Sequence, residues 1–130
     1  MSNIEADINK MSFEIIESIF KNKEGSQRSK YINEIDKALG VLVNDGVYAY
    51  YVYVKSKNID DVFLESIKDL KNFVDNTEEK KEWEGYFQEL SKDLNKLLFF
   101  RELLEKVLIY ARYHAKAKEN KTKEEKKEDE

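Results

Sequence analysis

Few residues in this chain of 130 could carry catalysis. Cysteine is absent, which excludes a thiolate nucleophile, a thiolate metal site and a disulfide. The one histidine, His114, would have to serve as the base of any Ser–His pair. It lies between Tyr113 and Ala115 on a basic stretch, and we interpret it as a surface or boundary residue. A single histidine without cysteine also argues against a zinc site.

Carboxylates are plentiful, but their spacing does not favour a catalytic pair. Asp60-Asp61 and Glu78-Glu79 are direct neighbours, and Glu82 and Glu84 are two apart. Adjacent side chains on a helix point about 100° apart, so such pairs do not converge. We find neither a glycine-rich phosphate loop nor EF-hand spacing. The sequence therefore predicts no catalytic residues, no metal and no cofactor, and we expect the chain not to be an enzyme.

The charge is distributed unevenly along the chain. The total is −4, but residues 59–93 carry −6 and residues 94–118 carry +4, while residues 1–58 are neutral and residues 119–130 carry −2. A polyanion could meet the basic segment while the acidic middle faces elsewhere. Lysine and arginine bind phosphates with little sequence preference. At this point either phosphate binding or ordinary solubilising charge explains the cations.

Apolar residues recur mostly at helical spacing, which predicts an all-α protein. Proline is absent and only 4 glycines are present, so the many tight turns of a sheet-rich fold are not expected. We predict a compact bundle of about five to six helices. The predicted segments are residues 3–22, 27–44, 47–54, 59–74, 78–91 and 94–118.

The third segment, Val47–Val54, is the ambiguous one. Its tyrosines and valines favour a strand by propensity alone, but no partner strand is visible, so we predict a buried helix. Gly46 before it is expected to take a positive φ. We assign residues 1–118 to one helical domain and residues 119–130 to a charged tail, either solvated or extending the last helix.

Aromatic residues could also serve in binding. Trp83, Tyr86 and Phe87 could stack on bases, yet their helical spacing favours a place in the core. The four tyrosines between residues 48 and 53 are expected to pack in the same way. The aromatic residues alone therefore do not point to a ligand.

Two stretches carry a resemblance to a known family. The run Leu39–Lys57, with its Asn44-Asp45-Gly46 corner and Tyr31 before it, is similar to the centre of the small helical subunit of type III CRISPR effector complexes, the Cmr-type small subunit. The stretch Leu103–Ala117 resembles the closing helix of that family. In the family, basic residues commonly precede the aromatic-Ala pair, whereas here Arg112 follows Tyr110-Ala111.

The resemblance implies a non-catalytic helical bundle that stacks with copies of itself along guide and target RNA. The implied partners include the backbone and large subunits of the complex, and the contacts are to the RNA backbone. Together with the basic segment, the resemblance makes eight cations the expected backbone contacts. They are Arg101, Lys106, Arg112, Lys116, Lys55, Lys57, Arg28 and Lys30.

Two other functions stay open: a helical protein–protein adaptor acting through exposed aromatics such as Tyr48 or Trp83, and a helical DNA-binding regulator. No recognition helix rich in Arg, Asn and Gln supports the regulator. The start of the chain lacks signal-peptide features, and no apolar run reaches the roughly 18 residues of a membrane span. We therefore expect a cytoplasmic protein without a membrane partner. Abundant Lys, Glu, Ile and Tyr resemble thermophile composition.

Overall fold

The computed structural model describes residues 3–74 and 82–128, with side chains up to residue 120. These ranges contain helices and short connections and no strand. The helices are α1 (Ile4–Asn22), α2 (Gly25–Asp45), α3 (Val47–Ser56), α4 (Asp60–Phe63), a 3₁₀ helix (Glu65–Ile67), α5 (Leu70–Val74), α6 (Trp83–Leu90) and α7 (Leu94–Glu128). Five of these have eight residues or more. The prediction of a compact all-α bundle is confirmed.

Side-chain oxygens and one glycine define where the long helices begin and end. The Asn3 carboxamide oxygen accepts hydrogen bonds from the first-turn amides of α1, and the Asp93 carboxylate accepts one from the Lys96 amide at the start of α7. Only Gly46 separates α2 from α3. Its φ of 98° and ψ of −176° belong to a region that glycine alone adopts readily. The expected positive φ at this residue is confirmed.

The Tyr- and Val-rich segment is helix α3, as predicted, but the helix is buried on one side only, and Tyr48 and Val52 are exposed. It buries Val47, Tyr50 and Val54 on one side, against α2 and the bundle interior. The hydroxyl of the fully buried Tyr50 donates to the carbonyl oxygen of Phe63 at 2.8 Å. Tertiary burial therefore overrides the strand propensity of these residues.

Residues 59–74 do not form the single helix that their spacing predicts. The chain here is divided into α4, the 3₁₀ helix and α5. Val62, Phe63 and Leu64 are all buried, although three consecutive side chains of one straight helix cannot face the same side. Breaking the helix lets this dense run of apolar residues turn inward, and the prediction of a continuous helix is wrong.

Helix α7 is the central element, and α1, α2, α3, α5 and α6 pack against it. Buried core side chains come from α1 (Ile15, Ile19), α2 (Ile35, Leu42), α3 (Tyr50), α4 (Phe63), α5 (Leu70), α6 (Phe87) and α7 itself (Phe100, Leu104, Leu108). The predicted boundary at residue 118 lies within α7, which continues as one helix to Glu128. The division into a domain of residues 1–118 and a charged tail of residues 119–130 stays a prediction. Residues 78–81 of the fifth predicted segment lie outside the described residues.

Candidate nucleic-acid interface

The last helix presents one buried and one exposed side. Phe100, Leu104, Val107, Leu108 and Ala111 face the bundle core. On the opposite side, Lys106, Ile109, Tyr113 and Lys116 follow one another at intervals of three and four residues. We call these four residues the outer stripe of α7. All four are exposed, and Tyr113 is 64% accessible.

Lys106 and Lys116 are the unpaired cations of the outer stripe. Neither ammonium group makes a hydrogen bond, an ion pair or a ring contact with another residue in the part of the chain that the structure describes. The two lysines are ten residues apart, which corresponds to about 15 Å along a helix. Two solvated charges on either side of an exposed aromatic ring can meet phosphates and a base or sugar face at once.

The arginines of α7 are bound to α2 instead. Arg112 forms an ion pair with Asp36 at 3.1 Å. Arg101 donates to the carbonyl oxygen of Val43 at 2.6 Å and pairs with Glu105 at 3.2 Å. Because the Val43 carbonyl lies at the C-terminal end of α2, Arg101 also neutralises the negative end of that helix. Phosphate contacts by these two arginines would have to compete with the bonds that join α7 to α2.

Three further predicted cations lie at the end of α3. Lys55 pairs with Asp60 at 3.5 Å, and the Lys57 ammonium lies 5.8 Å from the centre of the Tyr53 ring. Lys30 of α2 donates to the carbonyl oxygen of Lys57 at 3.4 Å. The fold thus brings Lys30 and Lys57 together from separate helices. Lys106 and Lys116 lie instead on α7, so these four predicted lysines come from two different parts of the fold.

Arg28 has a structural role at the junction of α1 and α2. Its guanidinium donates to the carbonyl oxygens of Phe20 (2.7 Å) and Lys23 (3.0 Å), and it lies over the Phe20 ring at 4.7 Å. Phe20 belongs to the last turn of α1 and Lys23 is its C-cap residue, and carbonyls at a helix end lack partners within the helix. A phosphate contact by Arg28 would have to share this guanidinium with the α1 terminus.

The structure separates the neighbouring carboxylates. Asp60 pairs with Lys55, whereas Asp61 accepts hydrogen bonds from the Lys23 ammonium (2.7 Å) and the Tyr31 hydroxyl (2.9 Å). Partial burial disfavours the charged form of Asp61, but the bonds from Lys23 and Tyr31 outweigh it and lower its pKa. Among the described residues, no three His, Asp or Glu side chains converge on a point that could hold a metal ion. Glu78 and Glu79 lie outside these residues.

His114 lies at the boundary between α1 and α7. One ring nitrogen is 2.9 Å from the carboxamide oxygen of Asn9, and the ring meets Phe13 edge-on at 5.7 Å between centres. These contacts fit the boundary position predicted for this histidine. They occupy the imidazole with helix–helix packing, and no serine hydroxyl contacts it among the described residues.

The aromatic residues of α6 belong mainly to the core. Tyr86 and Phe87 are buried, and the Trp83 ring stacks on Phe87 at 5.2 Å. The core placement favoured by their spacing is confirmed for Tyr86 and Phe87. Tyr113 was not among the residues predicted for the site. It lies seven residues after Lys106 and three before Lys116, and this helical spacing places all three side chains on one face of the helix. The exposed aromatic of the candidate interface is thus on α7 and not on α6.

No helix within the described ranges combines the length and apolar character needed to cross a membrane. Comparisons with known proteins add no relative, since no protein-family model, curated protein or solved structure matches this chain. Any functional conclusion therefore rests on the residues and their geometry, together with the sequence resemblance.

Proposed function

We propose that the chain is a non-catalytic small subunit of a type III CRISPR ribonucleoprotein effector complex, acting in the cytoplasm in antiviral defence. In this role, copies stack along the guide–target RNA beside the backbone and large subunits. The chain contacts the sugar–phosphate backbone, and other subunits supply the chemistry. The observation that carries the proposal is the outer stripe of α7, where two unpaired lysines flank an exposed tyrosine.

The fold supports the proposal at the positions that carry the resemblance. The Asn44-Asp45-Gly46 corner is the abrupt join between two helices, and the apolar run after it is a helix that ends in Lys55-Ser56. The other stretch, Leu103–Ala117, lies within α7 and contains the outer stripe. Both stretches therefore have the helical structure that the resemblance implies.

The arrangement of charges supports backbone contact without base reading. Lysine ammonium groups are mobile point charges that suit phosphates of any sequence. Lys106 and Lys116 serve as the main phosphate contacts, with Lys30 and Lys57 as a second group. Arg28, Arg101 and Arg112 contribute chiefly by holding the helices that present these lysines.

A helical protein–protein adaptor is the second candidate. It is favoured by Tyr48 and Val52, which are exposed one turn apart on α3. The Tyr48 hydroxyl donates to Glu84 of α6 at 2.8 Å, so that its ring is held against a neighbouring helix. An exposed apolar pair of this kind fits a protein partner better than an RNA backbone.

Photo-cross-linking of the purified native complex tests the proposal. Ultraviolet light joins aromatic side chains to nucleotides in contact with them, and peptide mapping then locates the joined residue. We expect RNA joined to the peptide around Tyr113 and loss of this product in Tyr113→Ala. Tyr48→Ala, which removes another exposed tyrosine, should leave the product unchanged. Cross-links elsewhere in the complex but none on α7 would contradict the proposed interface.

A further inference from the structure

A cleft lies between the end of α3, the α4 and 3₁₀ region and the start of α6. Its volume is about 350 Å³. The buried side chain of Leu64 and the partly buried rings of Tyr51 and Trp83 supply its apolar lining. An open cleft with two aromatic rings can hold a side chain from another molecule.

Carboxylates outnumber cations in this cleft. The charged residues that line it are four acids and one lysine, a difference of −3: Asp60, Glu65, Glu82, Glu84 and Lys55. Lys68 offsets one of these charges, since its ammonium lies 2.8 Å from the carboxylate of Glu65. The cleft therefore belongs to the acidic middle of the chain, where it repels phosphates and attracts cations.

Exposed apolar side chains of α3 continue the cleft. Tyr48 is 45% accessible and Val52 is 48% accessible. The Tyr48 hydroxyl donates to Glu84 at 2.8 Å, and its ring centre lies 6.1 Å from that of Tyr51. At 100° per residue, Tyr48, Tyr51, Val52 and Lys55 fall within an arc of about 100° on α3. We call the residues that line the cleft, together with Tyr48 and Val52, the α3–α6 surface.

We propose that the α3–α6 surface docks a basic amphipathic helix of a partner protein. Apolar side chains of the partner cover Tyr48 and Val52, and a lysine or arginine side chain enters the cleft. The aliphatic part of that side chain lies against the rings of Tyr51 and Trp83, and its charged end meets the carboxylates.

The partner's character follows from the two halves of the surface. An RNA backbone or an acidic helix would place negative charge against the carboxylates, which opposes binding. A purely apolar segment would cover Val52 but leave the carboxylates without a cation. A basic amphipathic helix provides both kinds of contact on one side, as helices that lie in grooves do. The inference goes beyond the proposed function and does not require RNA.

Fluorescence of Trp83 allows a direct test, because it is the only tryptophan of the chain. The probe is a synthetic helix of about four turns, with leucines on one side and lysines on the other. Two altered probes carry glutamate in place of lysine, or glutamine in place of leucine. We expect saturable binding of the first probe to the full-length chain, and at least about tenfold weaker binding of both altered probes.

Variants of the chain locate the binding. Val52→Ser, and separately Glu65→Gln with Glu82→Gln, should each weaken binding of the first probe at least about threefold. Phe13→Ser is the matched apolar control, since Phe13 is 46% accessible and lies on α1. Glu5→Gln with Glu17→Gln, also on α1, is the control for the change of net charge. All replaced side chains are exposed, so we expect every variant to fold.

Three results would overturn the proposal. They are absence of saturable binding of the lysine–leucine probe, equal binding of the acidic probe, and equal weakening by the α1 controls. Self-association of the chain without any probe, abolished by Val52→Ser, would identify a second copy as the occupant and would also overturn it. RNA is absent from this experiment, so its outcome is separate from that of the RNA-binding tests.

Discussion

Removing the two unpaired lysines of α7 should change how RNA binding depends on salt. Lys106 and Lys116 are exposed and make no hydrogen bond, ion pair or ring contact with other described residues, so their replacement by alanine leaves no buried polar group without a partner. We expect folding to be unaffected by Lys106→Ala with Lys116→Ala. Any loss of affinity then reports on the RNA contact itself.

The magnitude follows from counterion release. Each phosphate contact contributes about 0.7 to 0.9 to the slope of log affinity against log salt, so two contacts contribute about 1.4 to 1.8. Relative to 1 M salt, this corresponds to about a 15- to 30-fold loss of affinity at about 0.15 M. The assay is a salt titration of RNA affinity for complexes assembled with each variant.

The matched control removes two lysines that are already paired. Lys68 lies 2.8 Å from Glu65, and Lys92 lies 3.3 Å from Glu89. Their double replacement by alanine changes the net charge equally, so a similar loss would show that total charge alone matters. An unchanged slope in the Lys106 and Lys116 variant would refute the assignment of these residues as phosphate contacts.

Three further predictions concern folding. Arg28→Ala should lower the free energy of unfolding in urea denaturation by about 1–3 kcal/mol, because the carbonyls of Phe20 and Lys23 at the end of α1 lose their donor. The control Lys30→Ala should change it by less than about 0.5 kcal/mol. Equal effects of the two substitutions would contradict the structural role of Arg28. Gly46→Ala should lower the free energy of unfolding by about 1–3 kcal/mol, because a φ of 98° is unfavourable for alanine. Gly40→Ala, in the interior of α2, should raise it by about 0.5–1 kcal/mol. A change of the same sign in both variants would contradict the special conformation of Gly46. Burial and the hydrogen bond to Glu34 raise the pKa of Tyr53 to about 12. Because the unfolded chain loses this proton at a lower pH than the folded chain, the free energy of unfolding should fall between about pH 10 and 12. Tyr53→Phe should make this fall shallower in thermal denaturation measured against pH, and an unchanged pH profile would show that Tyr53 does not contribute to it.

Helical periodicity was sufficient to predict the long helices because each has one clearly apolar side. It failed for residues 59–74, where the apolar positions fit a helix but Val62, Phe63 and Leu64 are all drawn inward. Periodicity describes one straight helix against one surface. It cannot anticipate a short segment that is enclosed by α1, α3 and α7.

The sequence predicted which helix carries the candidate site better than it predicted which of its cations are available to a ligand. The positive charge of residues 94–118 pointed to α7, and Lys106 and Lys116 lie on its outer stripe. Sequence could not show that Arg101 reaches the end of α2 or that Arg112 meets Asp36, because both partners are distant along the chain. Which cations remain available to a ligand depends on such contacts.

Purification of the chain from its native cells, followed by identification of the bound proteins and sequencing of the bound RNA, tests the central proposal most directly. The proposed function predicts guide RNA together with the backbone and large subunits of a type III CRISPR complex. Recovery of other proteins without guide RNA would contradict it and favour the adaptor.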